Sequence, residues 1–287
     1  MSLRELTTSA WAGGQESDDQ TAALESGNVL LCKELRFEIA DDESPLFDED
    51  ILGRAKNASF DPGTGRLGGT VVTGELAVDL ANLMRRFSDA AAGLVDALCP
   101  PYRGRVARGR ASFRPAEIAG RASSWRKDDT RLHVDSFPAT PSGGRRILRV
   151  FSNVNPEGRA RTWRVGDEFE EVARRFAAAL TLPLPGAGHL LALLRITKSP
   201  RTPYDALMLQ LHDRMKKDDA FQSSSPQTRV DFPSGSTWLT FTDQVSHAAM
   251  AGQYQLEQTF LLPVDAMLEP ARAPLRILER IKGRRLV

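Results

Sequence analysis

The feature that most constrains the fold is the way strand-like runs are divided by a helical block. Three runs carry aromatic and β-branched residues: ILRVFSNV (147–154), STWLTFTD (236–243) and YQLEQTFLLPV (254–264). Between the first and the other two, helical spacing takes over. Asp167 is positioned to cap a helix bearing Phe169, Val172 and Phe176 on one face, and further helices are expected over 186–197 and 203–217. Earlier, Leu76, Leu80, Leu83, Met84, Phe87, Leu94, Val95 and Leu98 recur at helical spacing until Pro100-Pro101 ends the pattern. The run NVLLCKELRFEI from Asn28 reads as the first ordered element, a strand. The order is an early helix, strands around 125–155, helices over 167–217 and strands from about 228 to 264. This predicts an α+β fold, one sheet system interrupted by helices, which a jelly-roll barrel with helices packed outside satisfies. Residues 1–27 are polar and aperiodic and are expected to form a flexible tail, leaving 28–287 as a single domain.

A chain of 287 residues with 41% apolar residues can bury a substantial core, and its net charge of +1 exerts no global pull toward nucleic acid or membrane. Cys32 and Cys99 have no metal-ligand spacing and fit a reducing compartment. No apolar signal core opens the sequence and no run reaches the length of a membrane span, so a cytoplasmic protein is expected. Gly63, Gly65 and Gly68 match a dinucleotide-binding pattern in letters only, because Val71-Val72-Thr73 follows where a helix should begin.

Four histidines are present. His133 and Asp135 form an H-x-D in RLHVDSF, and residues two apart on a strand share a face. His247, in DQVSHAAM, lies in a second strand region from which its imidazole can reach the first pair. Two histidines and a carboxylate on one face of an octahedral ion leave three positions open, which suits non-haem iron(II). The alternative is that His133 and Asp135 hydrogen-bond elsewhere and His247 lies at the surface. His189, before LLALL, and His212, beside Leu211 and Met215, read as helix residues, with His212 also a candidate contact near a site.

The stretches SFRPAEIAGRASSWRKDDTRLHVDSFP, GGRRILRVFSNVNP, TWRVG and STWLTFTDQVSHAAMAGQYQLEQTFLLPV closely resemble the Kdo hydroxylase family, over about residues 55–265. Kdo is 3-deoxy-D-manno-oct-2-ulosonic acid, the sugar joining lipid A to the lipopolysaccharide core. The resemblance implies a double-stranded β-helix (jelly-roll) fold. It implies hydroxylation of carbon 3 of Kdo in Kdo-lipid A to give the 3-hydroxylated sugar, Ko. The cofactor would be iron(II), with 2-oxoglutarate and O2 consumed, succinate and CO2 released, and ascorbate as a stimulant. It implies His133, Asp135 and His247 as metal ligands, the same three that the residues single out. Halogenating relatives lack the carboxylate, so Asp135 points to hydroxylation.

Many enzymes of this superfamily hold the distal carboxylate of 2-oxoglutarate with a cation some ten residues beyond the second histidine. Here that neighbourhood reads LEQTF, and the next basic residue after His247 is Arg272. The cation must come from another strand. In RRILRVFSN, alternation sets Arg149 and Asn153 on one face and Arg146 on the other; Arg149 is the first candidate, Arg146 the second. An acidic, phosphorylated lipid substrate calls for a basic mouth, for which Arg126, Lys127, Arg131 and Arg114 are candidates, with Trp125 as a sugar-facing ring; a solvated charge is the alternative at each. The C-terminal stretch ARAPLRILERIKGRRLV predicts a basic amphipathic helix over about 270–287, placed either on the barrel or on the cytoplasmic face of an inner membrane. No nucleic acid or protein partner is indicated. A same-chemistry hydroxylase of another sugar or lipid, a zinc-dependent cupin-like protein and a non-catalytic acidic-sugar-binding barrel are the rival readings.

Overall fold

Alternation in the run 146–153 sends successive side chains into two different cores, and the architecture follows from that division. The protein is seen in a computed structural model that describes residues 3–12, 18–120 and 124–287. Its strands are β1 (Leu3–Leu6), β2 (Val29–Cys32), β3 (Ala58–Phe60), β4 (Leu67–Gly68), β5 (Ala107–Arg114) and β6 (Arg146–Asn153). There follow β7 (Arg161–Val165), β8 (Thr228–Phe232), β9 (Thr237–Phe241), β10 (His247–Ala251) and β11 (Gln255–Leu262). The larger sheet has the order β1-β2-β9-β6-β11-β5-β3-β4 and is antiparallel except for the β1–β2 pair; the smaller has the order β10-β7-β8.

Phe151 on β6, Trp238 on β9 and Leu31 on β2 meet Trp163 of β7, Phe232 of β8 and Ala249 of β10 in a core between the two sheets. The opposite face of the large sheet carries Leu148, Val150, Leu239, Phe241, Ala111, Phe113 and Phe260, all fully buried in a second core. That core is closed by helix α2 (Gly74–Leu98), following α1 (Asp18–Glu25) in the chain. The expected apolar stripe is what α2 buries: Leu80, Leu83, Met84, Phe87, Leu94 and Leu98 have no exposed surface, and each such burial stabilises by roughly 2 kcal/mol. The remaining helices are α3 (Phe169–Phe176), α4 (Ala187–Leu193), α5 (Pro203–Lys217), α6 (Asp219–Ser224) and α7 (Pro274–Lys282). Cys32 and Cys99 are both buried and unpaired, and burial pushes each thiol up to about 12.

The α+β expectation holds, with two facing sheets and no closed barrel among the described residues. Other expectations need correction. Residues 1, 2 and 13–17 of the expected tail lie outside the described residues, but the rest of it is built into the fold. Strand β1 pairs with β2, and α1 buries Leu24 and Glu25 completely. The segment is held despite its polar composition because Leu6, Trp11 and Leu24 pack on the core and the acid has partners. Tyr102 Oη, Leu268 N and Glu269 N donate to the Glu25 carboxylate at 2.7, 2.8 and 2.7 Å. Helix α3 begins at Phe169 with Glu168, not Asp167, at its N-cap. The Gly63–Gly68 stretch is a turn leading into β4, and no helix follows it directly, α2 starting only at Gly74.

The C-terminal helix α7 packs on the protein. Leu275 and Leu278 are buried in the main core, with Ile281 against it. Within α7, Arg276 pairs with Glu279 at 2.6 Å and Arg280 with Glu170 at 3.3 Å; Arg272, just before it, pairs with Glu269 at 2.6 Å, whereas Arg284 and Arg285 beyond it are exposed. Lys282 Nζ donates to the carbonyls of Ala177 and Leu180 at 2.7 Å each. An apolar face covered by protein is not available for insertion into lipid, so of the two expected placements the helix takes the packed one here.

Glu25 gives a direct test that the N-terminal segment belongs to the fold. Glu25→Ala leaves three donors without their acceptor and is expected to lower unfolding free energy by about 3 kcal/mol. Urea denaturation followed by tryptophan fluorescence measures it; a change below about 0.5 kcal/mol, the level of an ordinary surface substitution, would return the segment to the status of a tail.

Candidate metal centre

Backbone pairing brings the two histidines together. His133 N donates to the His247 carbonyl at 3.0 Å, and His247 N donates back to the His133 carbonyl at 2.9 Å. Residues exchanging both bonds stand directly opposite one another with side chains on the same face. His133 is an isolated bridge partner rather than part of a longer strand, so of the strands expected around 125–155 only β6 forms there; β10 starts at His247 itself. Asp135 lies two residues on, its N–H donating to the Thr242 carbonyl at 2.8 Å, so its side chain returns to the same face.

The imidazole nitrogens of His133 and His247 and a carboxylate oxygen of Asp135 consequently lie within 4.8 Å of one another, and all three residues are buried or nearly so. A carbonyl accepts only, so His133 Nδ1–H donates to the Arg131 carbonyl at 2.8 Å and His247 Nδ1–H to the Val245 carbonyl at 2.7 Å. Both Nε2 atoms are thereby left as unprotonated acceptors, the arrangement that metal-binding histidines require. His133 Nε2 stands 3.8 Å from Asp135 Oδ1. Trp163 stacks on the His247 ring (5.1 Å, 24°) and His212 meets His133 edge-on at 5.3 Å, which holds the imidazole planes.

The electrostatics favour neutral rings beside a charged carboxylate. Burial drives the His133 pKa well below the ordinary histidine value, reinforced by His247 and Lys216. Burial lowers that of His247 too, against the opposing pull of Asp135 and the Val245 carbonyl. For Asp135 burial acts upward, but Arg149 and the two histidines outweigh it and hold the carboxyl well below the usual range. Asp135 Oδ2 is buried without a hydrogen-bond donor, Arg149 Nε lying 3.4 Å away and itself unpaired by geometry. Two bare imidazole nitrogens and an orphaned carboxylate oxygen on one side of a buried site are a donor set that fits a divalent cation.

The arginines divide by face as alternation requires. Arg149 points into the space between the sheets, its Nη1 3.1 Å from Glu257 Oε1 and its guanidinium 5.4 Å from the Phe137 ring. Arg146, on the other face, is fully buried in the main core. It contacts both Asp243 oxygens at 2.8 and 3.2 Å and Gln244 Oε1 at 2.6 Å, and lies 3.9 Å over the Phe241 ring, so it is removed from the cofactor candidates. Asn153 is removed as well, because its amide donates to the Arg159 and Phe232 carbonyls and braces the turn after β6.

A further arginine, Arg161, was not singled out by its sequence. It is fully buried on the face of β7 that carries Trp163 and Val165, and its Nη1 donates to the Gly252 carbonyl at 2.6 Å. That approach requires glycine: at φ +108°, a Cβ on Gly252 would sit 2.9 Å from Arg161 Cδ. Among the described residues no carboxylate lies within ion-pair distance of Arg161, its Nε has no partner, and burial with help from Arg114 lowers its pKa to about 9. Alternation in RTWRV was the available signal, since it sets Arg161 beside the tryptophan that stacks on His247.

The basic-mouth candidates are only partly assembled. Arg114 (to Asp129, 3.1 Å) and Lys127 line one small cavity with Lys56, which donates to the Lys127 carbonyl and pairs with Asp129 at 3.2 Å. Arg126 is exposed, 3.1 Å from Asp213 and stacked on Trp125 at 4.4 Å. Arg131 is bound to Asp219 and the Lys216 carbonyl, and so it joins α5 to α6 instead of facing a mouth.

Two histidines and a carboxylate, buried on one face between two sheets, define the donor set of the non-haem iron oxygenases. The family model for 3-deoxy-D-manno-oct-2-ulosonic acid (Kdo) hydroxylase matches residues 9–285. Similar solved structures include the Kdo hydroxylase KdoO, a non-haem Fe(II) α-ketoglutarate-dependent dioxygenase, in complex with cobalt(II). It is 43% identical, with a TM-score of 0.95 over 99% of this chain and 97% of that one. KdoO with α-ketoglutarate and Fe(III) matches at 42% identity and TM-score 0.95 over 100% and 98% of the two chains. KdoO with succinate and Fe(III) matches at 42% and 0.94 over 99% and 97%. No curated protein matches the chain. The chain belongs to the Kdo hydroxylase family.

Titration with cobalt(II), followed by its visible absorption, tests the centre. One equivalent should bind, and His247→Ala or Asp135→Ala should weaken binding by about 100-fold or more, whereas His189→Ala should leave it unchanged.

Proposed function

We propose that this protein hydroxylates carbon 3 of Kdo in Kdo-lipid A to give Ko, consuming 2-oxoglutarate and O2 and releasing succinate and CO2. The observation that carries this reading is the buried His133–Asp135–His247 cluster in a chain of the Kdo hydroxylase family. In this reading the two facing sheets are the layers of a distorted double-stranded β-helix, with the cluster between them.

His133 Nε2, His247 Nε2 and the Asp135 carboxylate would hold iron(II). When bound, the metal supplies the redox chemistry by which 2-oxoglutarate oxidation drives oxygen insertion. The residues of this chain keep that centre ordered. The Arg131 and Val245 carbonyls fix the imidazole tautomers, Trp163 and His212 fix the ring planes, and Arg149 balances Asp135 and Glu257. The low exposure of the His133, Asp135 and His247 side chains limits the water that reaches them.

For the distal carboxylate of 2-oxoglutarate, charge accounting favours Arg161 over Arg149. Arg149 already faces two carboxylates, whereas Arg161 is a buried guanidinium without one, and a buried cation of this kind is stabilised when a ligand brings the missing anion. Arg114 and Lys127, with Lys56 beside them, are the side chains we assign to the acidic groups of the substrate, and the stack of half-buried Trp125 with exposed Arg126 offers a surface to its sugar. A substrate anchored in lipid requires the enzyme to work at a bilayer.

Mass spectrometry of Kdo-lipid A incubated with protein, iron(II), 2-oxoglutarate and air should show a gain of one oxygen, about 16 mass units, absent with His133→Ala. Arg161→Leu should raise the KM for 2-oxoglutarate by roughly 10- to 100-fold while cobalt(II) still binds. An unchanged KM there, with a raised one in Arg149→Leu, would assign the role to Arg149 instead.

A further inference from the structure

Between α3 and α5 lies a segment that the reaction does not account for. Residues 180–201 read LTLPLPGAGHLLALLRITKSPR. Leu182, Leu184, Leu190, Leu193, Leu194 and Ile196 stand exposed at 38, 80, 55, 79, 59 and 56% of their surface. They are six of the eleven large apolar side chains exposed among the described residues. Helix α4 buries none of its residues, so its apolar content was not selected for this core.

The segment is nevertheless firmly seated. At its start, Thr181 N donates to Gln210 Oε1 at 3.0 Å and Gln210 Nε2 returns a bond to the Thr181 carbonyl at 2.8 Å. At its end, Lys198 N donates to the Ala139 carbonyl at 2.9 Å and the Arg201 guanidinium to the Pro138 carbonyl at 2.6 Å. Arg195 closes α4 in the left-handed region (φ 56°), turning the chain so that Ile196 emerges beside the leucines. Both anchors are made on segments that also carry residues of the metal centre or its surroundings. Pro138 and Ala139 follow Asp135 in the chain, and Gln210 shares α5 with His212, which lies against His133.

We infer that this leucine-rich segment is a membrane-docking element that inserts into the surface of an anionic bilayer. Charge complementarity selects that occupant. Residues 180–201 contain no Asp or Glu, while Arg195 and Lys198 are exposed at the rim of the apolar patch and Arg201 is half-buried beside them. Cations next to exposed leucines match acidic headgroups above acyl chains, each basic side chain contributing about 1 kcal/mol near such a surface. A second copy of this chain would bring the same cations against each other with no acid in either patch to offset them. Contiguous apolar surface of this kind, rimmed by basic groups, marks a contact and not a solvated face. Docking itself rests on this surface alone. Its use, presenting a lipid-anchored sugar to the centre, rests on the function proposed above.

The test is flotation of the full-length protein with vesicles of phosphatidylethanolamine and phosphatidylglycerol, beside vesicles of phosphatidylcholine alone, all free of Kdo. Wild type should float with the anionic vesicles and far less with the neutral ones. The variant Leu190→Ser/Leu193→Ser/Leu194→Ser should lose roughly tenfold or more of that partitioning with an unchanged melting temperature, because its side chains support no core. Arg284→Gln/Arg285→Gln, on the C-terminal tail, should float like wild type. Failure of wild type to float, equal flotation of the leucine variant, or a concentration-dependent dimer that the leucine variant abolishes would each overturn the proposal. Flotation as expected without oxygen transfer to Kdo-lipid A would leave the docking surface standing and overturn the substrate.

Discussion

The centre depends on one reciprocal pair of backbone hydrogen bonds, between His133 and His247. Because each residue both donates to and accepts from the other, neither can slip in register without breaking two bonds and turning an imidazole to the opposite face. Asp135 inherits its position from the same pairing through the bond to Thr242. Three ligand atoms from two distant parts of the sequence thus meet without any long strand at the H-x-D. A single bridge suffices because the small sheet behind it is continuous: His247 also pairs with Val165, and Trp163 on that neighbouring strand supports the ring.

The space around this pairing is organised by charge. Arg149 stands between Asp135 and Glu257, and Arg161 lies within electrostatic reach of Glu257 and Asp129. Asp129 gathers Lys56, Arg114 and Lys216 at 3.2, 3.1 and 3.7 Å, which keeps its carboxyl well below the usual range despite burial. A site surrounded this way has its permanent charges nearly matched except at two points: the bare ligand set, which lacks a cation, and Arg161, which lacks an anion. In the function proposed above, a divalent metal would supply the first and 2-oxoglutarate the second.

Much of this was legible in the sequence. Helix α2, strands β6, β9 and β11 and the His133–Asp135–His247 set all announce themselves, because apolar periodicity and a rare residue type in a specific pattern survive without knowledge of neighbours. What was not legible depended on partners. The polar residues 18–25 look like a tail until Tyr102 and the amides of 268 and 269 are seen to meet Glu25. The C-terminal helix and the α4 segment show similar mixtures of leucine and basic residues, yet one covers a core and the other faces outward. Periodicity identifies an apolar face but not what lies against it. Arg146 and Arg149 could be separated by alternation, whereas the unpaired state of Arg161 is a property of the surrounding carboxylates and is invisible in one dimension.

The contact of Glu25 with residues 268 and 269 has a consequence for how the chain comes to be folded. Strand β2 sits between β1 and β9, and the helix preceding it is locked by amides close to the far end of the sequence. A polypeptide emerging from the ribosome therefore exposes its N-terminal segment long before its partners exist. The large sheet can neither receive β2 nor seal the carboxylate beneath it until β9 and residues 268 and 269 have been made. Because these contacts join residues 243 and 244 positions apart, folding of this domain waits on its most sequence-distant pairings, and during that interval the unpaired β2, with the apolar sequence VLLC, is the part most in need of protection from other chains.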